Sequence, residues 1–507
     1  MKIDQKLELM KTMFNPKNVA VIGASDKILK IGGLVAMNIG AIGFKKNVYA
    51  INPNPRYENE EIFGIKVYPS LNKVPEQIDL AGIVVPPNAV LDAVKQCIEA
   101  DIRTAVVITA GFGEVESKDR QDENKELIRT ADRASMIFVG PNSLGMYTSK
   151  DETSPLFLGM GLISLQPGNL AIISQSGTIG TLLCNMMKRV RFFVSSGNEA
   201  SLTLEDYLEY FAQDDKTKAI ALFVEGLRAG NRFRNLCSEI TETKPVIMFK
   251  GGITKAGARA ASSHTASIGG SIDIYKSVFK QTGVIHADNI MQFLWLVKGA
   301  LYLLPFPING PLRIGILSAG GGFGVILSDL CEQQGLDVVD LNKHPEGPKL
   351  IDEISKYLPF YWSHQNPIDL VATIDFNLLP KVLKIVLKYD IFDIVISQTS
   401  VVYDEMVNAF HPVNELGKNM KEMMAPILQG MANEISKKEI NSCLKFPDKR
   451  VIFISPIPVF TNPAFDSYDE NKILIFGGNP EVCTIVLKKL HEYQKYVNRK
   501  IKHRVND

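Results

Sequence analysis

The sequence lacks the features that mark several protein classes. Its six cysteines stand singly, with no CxxC pair, so we expect neither a metal cluster nor a disulfide framework, and a reducing compartment fits best. No GxxxxGK[ST] phosphate loop occurs, which excludes a P-loop nucleotide site. Lysine plus arginine (56) and aspartate plus glutamate (55) nearly cancel. A balanced charge gives no reason to expect a nucleic-acid or membrane-surface partner.

Long apolar runs are also missing. The best candidate, Phe293 to Phe306, is interrupted by Lys298 and ends in prolines. It falls short of the ~20 apolar residues that a membrane span requires, so we predict a buried helix there. The first residues, MKIDQKLELMK, do not show the apolar run of a secretory signal. We therefore expect a cytoplasmic protein.

What the sequence does contain is a repeated rhythm of a short β-branched run, a turn of small residues and a helical stretch. This rhythm is typical of parallel βαβ units, and 507 residues suggest about three domains. The segment Pro305–Pro311 breaks any helix and is the best linker. We also predict a loop from Thr148 to Gly161 and a strand at Ile427–Leu428. The fold class is α/β with three consecutive parallel-sheet domains, at 1–150, 151–305 and 306–507.

The first small-residue turn follows the strand that ends near Ile22. Gly23-Ala24-Ser25 and then Lys30-Ile31-Gly32-Gly33 lead into a helix, an arrangement that lets backbone N–H groups approach a phosphate. The spacing is not GxGxxG, and Asn52-Pro53 stands where a nicotinamide enzyme would have its ribose-binding acid. The pattern favours another phosphate-bearing nucleotide, and an ordinary turn with no ligand remains the alternative.

Two further turns repeat this device. In Ser174-Gln175-Ser176-Gly177-Thr178, Ser176 or Thr178 could simply cap a helix. Gly320-Gly321-Gly322-Phe323-Gly324 has four glycines in five positions. So many glycines are costly in backbone entropy, and this cost favours anion binding over a plain turn.

A single histidine stands in a run of small residues, Ala261 to Gly270. Small neighbours leave room for a group to be attached to His264, and imidazole is a nucleophile that can carry a phosphoryl group near neutral pH. An acid that accepts a hydrogen bond from the other ring nitrogen would help. Glu225, which follows a predicted strand, is the nearest candidate by topology.

Eight phrases of the sequence resemble, in order, a known family. That family is the α subunits of NDP-forming acyl-CoA synthetases, most closely the ADP-forming acetate–CoA ligases, which are relatives of succinyl-CoA synthetase. The resemblance implies a Rossmann-like CoA-binding domain followed by two flavodoxin-like CoA-ligase domains. The phrases are VAVIGAS (19–25), INP (51–53), ITAGF (108–112), GPN.LG (140–145), ISQSG (173–177), SGNEA (196–200), KAGARAASSHT (255–265) and NPIDL (366–370).

The resemblance also implies roles for individual residues. The phosphorylated histidine would be His264, supported by Glu225, in an acid–thiol ligase that converts acid, CoA and ATP to acyl-CoA, ADP and phosphate through an acyl phosphate. The residues implied for phosphate are Ser176, Gly177, Thr178, Gly320, Gly321 and Gly322. Those implied for coenzyme A are Gly23, Ser25, Lys30, Asn52, Val85, Pro86 and Gly111.

The family's ATP-grasp module has no counterpart among these three segments. The resemblance therefore implies a separate ATP-grasp β subunit that brings ATP or ADP with Mg²⁺, in an α₂β₂ assembly. The small-molecule partners would be a carboxylic acid or its acyl-CoA, and phosphate.

The sequence departs from the family pattern at three positions: Ser143, where the family has cysteine, Ser201, where it has aspartate, and Ala266, where it has glycine. These departures keep open a catalytically impaired CoA-binding regulatory or scaffold protein of the same fold. A nicotinamide-dependent oxidoreductase is the other alternative, and the missing acid after the second strand counts against it.

Overall fold

The computed structural model describes residues 1–115, 117–264, 272–306, 310–371, 375, 377–399, 410–455 and 463–506. These residues form an α/β fold with three sheets. The chain divides into two compact units, one made mainly of Met1–Val297 and the other of Lys298–Lys502. The first two sheets lie in the first unit, and the third lies in the second.

The first sheet is Rossmann-like. Its strand order is β3-β4-β2-β1-β5-β6-β7, and its strands pair in parallel except for the short β3–β4 hairpin. The central strands are buried along their whole length, because helices cover both faces of such a sheet. The elements are α1 Ile3–Phe14, β1 Asn18–Ile22, α2 Ile31–Ala41, β2 Asn47–Ile51, β3 Glu61–Ile62, β4 Ile65–Tyr68, β5 Leu80–Ile83, α3 Val90–Glu99, β6 Thr104–Val107, α4 Lys118–Arg133 and β7 Ile137–Val139.

The second sheet is flavodoxin-like. Its order is β14-β13-β12-β10-β11-β8-β9, and its five parallel strands have the doubly wound order 2-1-3-4-5. The elements are β8 Gly145–Thr148, β9 Leu156–Gly159, β10 Gln166–Ser174, α5 Gly177–Met187, β11 Arg189–Ser195, α6 Leu204–Ala212, β12 Ala219–Val224, α7 Gly230–Ile240, β13 Val246–Lys250, α8 Lys255–His264, α9 Ile272–Thr282, β14 Ile285–Ala287 and α10 Ile290–Leu303.

The predicted loop from Thr148 to Gly161 is wrong in its middle, where β9 forms an antiparallel hairpin with β8. All four residues of β9 are buried. Asn38 of α2 donates its side-chain N–H groups to the carbonyls of Gly159 at 2.8 Å and Gly161 at 2.9 Å. A helix of the first domain therefore covers this strand, and a contact of that range leaves no local signal in the sequence.

The first two sheets share one hydrophobic core. Aromatic rings join them: Phe192 of β11 lies 4.5 Å from Phe211 of α6, centroid to centroid, and 5.4 Å from Phe14 of α1. A shared core of this kind makes the two sheets one packing unit.

The third sheet is also flavodoxin-like, with the parallel order β16-β15-β18-β19-β20 and the short β17 paired to β15. Of the predicted linker, residues 307–309 lie outside the described residues. The elements are β15 Arg313–Ser318, α11 Gly321–Gln333, β16 Asp337–Val338, α12 Gly347–Ser355, β17 Ile368–Asp369, α13 Leu378–Val386, β18 Ile394–Gln398, α14 Glu415–Leu444, β19 Arg450–Ile454, α15 Pro463–Glu470, β20 Leu474–Phe476 and α16 Pro480–Asn506.

The predicted strand at Ile427–Leu428 is wrong, because both residues lie inside the 30-residue helix α14. Ile427 is 56% exposed, whereas a central strand would bury it. A short apolar pair next to Pro426 resembles a buried strand in sequence, and periodicity alone does not separate the two cases.

Within the described ranges, every helix is too short or too polar to cross a bilayer. The predicted buried helix after Phe293 is confirmed as α10. All six cysteines are buried and unpaired with one another.

Phe192→Ala should lower the free energy of unfolding by about 3–5 kcal/mol, because it removes a fully buried ring and leaves a cavity in the shared core. Urea denaturation followed by circular dichroism measures this change. Phe360→Ala is the matched control, since Phe360 is 90% exposed and should change the free energy by less than about 0.5 kcal/mol. Equal effects of the two substitutions would contradict the shared core.

Candidate active site

The first predicted turn lies at the carboxyl end of β1, where the strand order reverses between β1 and β5. Ligands of open α/β sheets bind at such switch points. Gly23 has a positive φ of 92°, and a Cβ on it would lie 2.9 Å from the carbonyl oxygen of Val84. A Cβ on Gly32 would overlap the carbonyl oxygen of Gly23. The start of α2 therefore packs directly on the turn, backbone against backbone.

Other residues predicted for coenzyme A lie around this turn. Ser25 is buried, and its hydroxyl accepts a 3.2 Å hydrogen bond from the N–H of Lys27. Lys30 is the exposed residue that precedes α2. Asn52, at the end of β2, donates its side-chain N–H to the carbonyl of Ala24 at 2.8 Å. These contacts fix the turn from the neighbouring strand.

The remaining predicted residues of this edge follow β5 and β6. Val85 and the exposed Pro86 come after β5, and Thr109 donates its hydroxyl to the carbonyl of Val85 at 2.7 Å. Gly111 has a φ of 102°, and its N–H donates to Glu114 at 2.5 Å. The structure therefore places all seven residues predicted for coenzyme A at the carboxyl edge of one sheet.

The second turn lies at the switch point of the second sheet, between β10 and β12. Ser176 is the N-cap of α5 and accepts a hydrogen bond from Ile179 at 3.5 Å, so the capping role foreseen for it is present. Gly177 opens the helix, and Thr178 is exposed in its first turn. The first N–H groups of a helix have no partner inside it and can bind an anion.

Glu225 lies across the same switch point, directly after β12, and is half-buried. Its backbone N–H donates to the side-chain oxygen of Gln175 at 2.6 Å, and its carbonyl accepts from the Lys250 ammonium at 2.8 Å. Lys250 is buried, and burial lowers the pKa of its ammonium group. The structure thus brings Glu225 and the Ser176 turn to one edge of one sheet.

His264 is the last residue of α8, which follows β13, the neighbour of β12. The side chain of His264 and all of residues 265–271, including Ala266, lie outside the described residues. The contact between His264 and Glu225 therefore stays a prediction.

The third turn follows β15, at the switch point between β15 and β18. Gly320 precedes α11, and a Cβ on Gly320 or Gly322 would meet no atom within 4 Å. A Cβ on Gly321 would lie 2.9 Å from a carboxylate oxygen of Asp369. Internal packing therefore does not require glycine at Gly320 or Gly322. Open space of this kind is expected at a turn that binds a ligand.

Sequence reasoning missed two polar residues of the second sheet, Gln175 and Glu199. Gln175 Nε2 donates to Glu199 Oε1 at 2.9 Å, and the Ser196 hydroxyl donates to the same oxygen at 2.9 Å. Burial raises the pKa of the Glu199 carboxyl to about 7. The phrases ISQSG and SGNEA contain both residues, but nothing in the sequence shows that they meet.

A second missed pair connects the two domains of the first unit. Glu114 accepts from the N–H of Phe112 at 3.2 Å and from the side-chain amide of Asn198. Asn198 stands next to Glu199 in the chain. The segment at Gly111, a residue predicted to bind coenzyme A, is therefore linked by hydrogen bonds to the loop that contacts Gln175.

Two family models match the chain. Residues 17–149 match a CoA-binding domain, and residues 167–299 match a succinyl-CoA ligase-like flavodoxin domain. The first match spans β1 to β8, the second spans β10 to β14, and β9 lies between them.

Known proteins match more of the chain. It is 36% identical over 364 residues to the acetate–CoA ligase [ADP-forming] II subunit alpha of Pyrococcus furiosus, covering 71% of this chain and 76% of that subunit. It is 37% identical over 392 residues to the acetate–CoA ligase [ADP-forming] I of Archaeoglobus fulgidus. That match covers 76% of this chain and 54% of the relative, so the chain spans about half of that protein's length.

A solved structure matches nearly the whole chain. It is the dinucleotide forming acetyl-coenzyme A synthetase 1 of Ca. Korarchaeum cryptofilum, in complex with phosphate and ADP. The TM-score is 0.77 at 29% identity, with 97% of this chain and 98% of that chain covered.

Gly32→Ala should destabilise the protein by about 1–3 kcal/mol, because its Cβ would push α2 off the carbonyl of Gly23. Gly40→Ala on the same helix is the matched control. A Cβ there meets nothing within 4 Å, and alanine should stabilise the helix by up to about 1 kcal/mol. Thermal and urea unfolding measure both changes, and a harmless Gly32→Ala would contradict the direct packing of α2 on the turn.

Glu199 should make the stability fall as the pH rises. Its pKa near 7, against an ordinary 4.5, corresponds to about 3 kcal/mol. The stabilising contribution of a raised pKa is fully present at pH values below the pKa of the group in the unfolded state. It is lost as the pH rises through the pKa of the group in the folded state. Between about pH 4.5 and about pH 8, wild type should therefore lose about 3 kcal/mol more than Glu199→Gln in urea unfolding. If the free energies of unfolding of wild type and Glu199→Gln change in parallel with pH, the Glu199 carboxyl ionises with an ordinary pKa.

Proposed function

Because this chain belongs to the ADP-forming acetate–CoA ligase family, whose α subunits it matches over most of their length, we propose that it is the α subunit of an ADP-forming acyl-CoA synthetase. The enzyme joins an acid to CoA at the expense of ATP and releases ADP and phosphate. The observation that carries the proposal is the second-sheet switch point. It brings the Ser176 turn and Glu225 together in the domain whose helix α8 ends at His264.

The proposed reaction has three balanced steps. A ring nitrogen of His264 attacks the γ-phosphorus of ATP, and ADP leaves. A carboxylate oxygen of the acid then attacks the phosphohistidine, which frees the imidazole and gives an acyl phosphate. Finally the CoA sulfur, as its thiolate, attacks the acyl carbon, and phosphate departs. Two groups of this chain support these steps. Glu225 orients the imidazole by accepting from its second nitrogen, and the first N–H groups of α5, at Gly177 and Thr178, stabilise the phosphoryl oxygens.

We assign coenzyme A to residues 1–150, at the carboxyl edge of the first sheet. The turn at Gly23 packs directly against the start of α2, and the first N–H groups of a helix have no partner inside it, which suits a pyrophosphate. The chemistry domain is 151–305. In the domain at 306–507, the open turn at Gly320–Gly322 contributes to phosphate binding, supported by the space at Gly320 and Gly322.

The nucleotide belongs to a partner in this proposal. A β subunit with an ATP-grasp module binds ATP or ADP with Mg²⁺, which would neutralise phosphate charge, and the assembly is α₂β₂ in the cytoplasm. Support comes from the relatives named as alpha subunits and from the length of the A. fulgidus relative, of which this chain covers 54%.

The second candidate is a CoA-binding regulatory protein that has lost catalysis, suggested by Ser201 and Ala266. Ser201 has a structural contact that accounts for it: its hydroxyl accepts a 3.3 Å hydrogen bond from the N–H of Phe138 in β7. This contact ties the loop to the first sheet and requires no carboxylate. Position 201 therefore has a structural role of its own and is no evidence that catalysis was lost.

His264→Ala should abolish phosphoryl transfer to this chain while leaving CoA binding unchanged, because the substitution removes only the nucleophile. The experiment mixes the chain with an ATP-grasp partner subunit and γ-³²P-ATP, and scores base-stable, acid-labile label. Calorimetric titration measures CoA binding in parallel.

The matched control is His344→Ala. The His344 ring accepts a hydrogen bond from the N–H of Glu346 and has no part in the proposed chemistry, so labelling should persist. Label retained in His264→Ala would overturn the assignment of the nucleophile. CoA binding without any label in wild type would instead favour the regulatory protein.

A further inference from the structure

The side-chain amide of Gln175 is fully hydrogen-bonded at the end of β10. Its oxygen accepts from the N–H groups of Glu225 at 2.6 Å and Gly226 at 3.0 Å. Its nitrogen donates to Glu199 Oε1 at 2.9 Å and to the carbonyl of Gly226 at 2.7 Å. A primary amide has two donors and two acceptor sites, and here each is used. Gln175 thus joins the end of β10 to the residues that follow β12.

The backbone and Glu199 together determine which way this amide faces. The N–H groups of Glu225 and Gly226 can only donate, so the oxygen of Gln175 must lie towards them and its NH₂ group towards Glu199 Oε1. Glu199 is itself held in place. It is 6% exposed, its φ is +51° and its Oε1 also accepts from Ser196. A glutamate kept in the left-handed region is held there by its surroundings.

Lys250 holds the other side of Glu225. Its ammonium donates to the carbonyl of Glu225 at 2.8 Å and to the carbonyl of Gly251. Gly251 begins the segment from β13 to α8, the helix that ends at His264. The peptide groups on both sides of the Glu225 Cα are therefore fixed by polar side chains, the half-buried Gln175 and the buried Lys250. Lys250 also fixes the segment that leads to α8.

We propose that Gln175, held by its hydrogen bond to Glu199 and assisted by Lys250, is a positioning residue that fixes the backbone of Glu225 so that its carboxylate meets the imidazole of His264. This inference rests on the proposed function for the roles of Glu225 and His264. Gln175 acts through Glu225 and touches no substrate.

Gln175→Met tests the inference, because methionine has a similar length and none of the four hydrogen bonds. In hydrogen–deuterium exchange, the amides of Glu225 and Gly226 should lose protection selectively. The rate of label incorporation with the ATP-grasp partner should fall by about 10²-fold, the cost of a displaced catalytic group. CoA binding should be unchanged.

Glu199 offers a rescue experiment that does not depend on the fate of Gln175→Met. Glu199→Gln keeps an acceptor oxygen for Gln175 and Ser196, so it should label at a rate within about threefold of wild type. Glu199→Leu removes the acceptor and should lose about 10²-fold, as for a displaced group. Equal rates in the two variants would show that the hydrogen bond to Gln175 does not matter.

Gln292→Met is the matched control. Gln292 is buried, and its side-chain oxygen accepts from the N–H of Asp288 at 3.1 Å, so the substitution removes a similar bond elsewhere in the same unit. It should leave both labelling and the exchange at residues 225 and 226 unchanged.

The two readouts separate this inference from the proposed function. Loss of protection in Gln175→Met with a normal labelling rate would overturn the positioning role, and unchanged protection would overturn the clamp itself. If wild type takes up no label, the proposed function fails, and exchange alone decides whether Gln175 holds Glu225.

Discussion

The arrangement of the second domain depends on one constraint, which is that parallel strands with helices on opposite faces diverge at the switch point. The N–H groups of Glu225 and Gly226, just beyond β12, then need partners other than a neighbouring strand, because buried polar groups must be satisfied. Gln175 supplies the missing partners for Glu225 and Gly226. Gln175, the side chain that hydrogen-bonds the backbone after β12, therefore also holds Glu225, the candidate acid.

In the third sheet, too, an amide side chain hydrogen-bonds the backbone across the switch point, but here it comes from the second of the two strands. At its switch point the side-chain oxygen of Gln398, at the end of β18, accepts from the N–H of Ala319 at 3.0 Å. In the first sheet an amide side chain also holds the turn, but it comes from β2 and does not cross the switch point: Asn52 donates to the carbonyl of Ala24. Each carboxyl edge thus has an amide side chain that holds its turn, although the three turns differ in sequence.

The glycines of these turns are present for two different reasons. Gly23 and Gly32 are required by internal packing, since a Cβ on either would meet backbone atoms. Gly320 and Gly322 border open space, so their absence of side chains leaves room for something outside the fold. The sequence shows glycine in both turns, and only the surrounding atoms separate a packed turn from an open one.

The α/β class, the order of the sheets and most of the strands could be predicted from the sequence, because buried parallel strands are local apolar runs that end in small turns. The same local signal placed Gly23, Ser176, Glu225 and Gly320 at carboxyl edges. It failed at β9, which a helix of another domain covers, and at Ile427 in α14, where a short apolar pair carries no periodicity.

The hydrogen bonds of Gln175 with Glu199 and of Glu114 with Asn198 join residues 24 and 84 positions apart. The sequence by itself determined which residue types stand at the strand ends. The tertiary structure alone decided which of them meet, because contacts across a switch point depend on how the strands are ordered in space and not on their spacing along the chain.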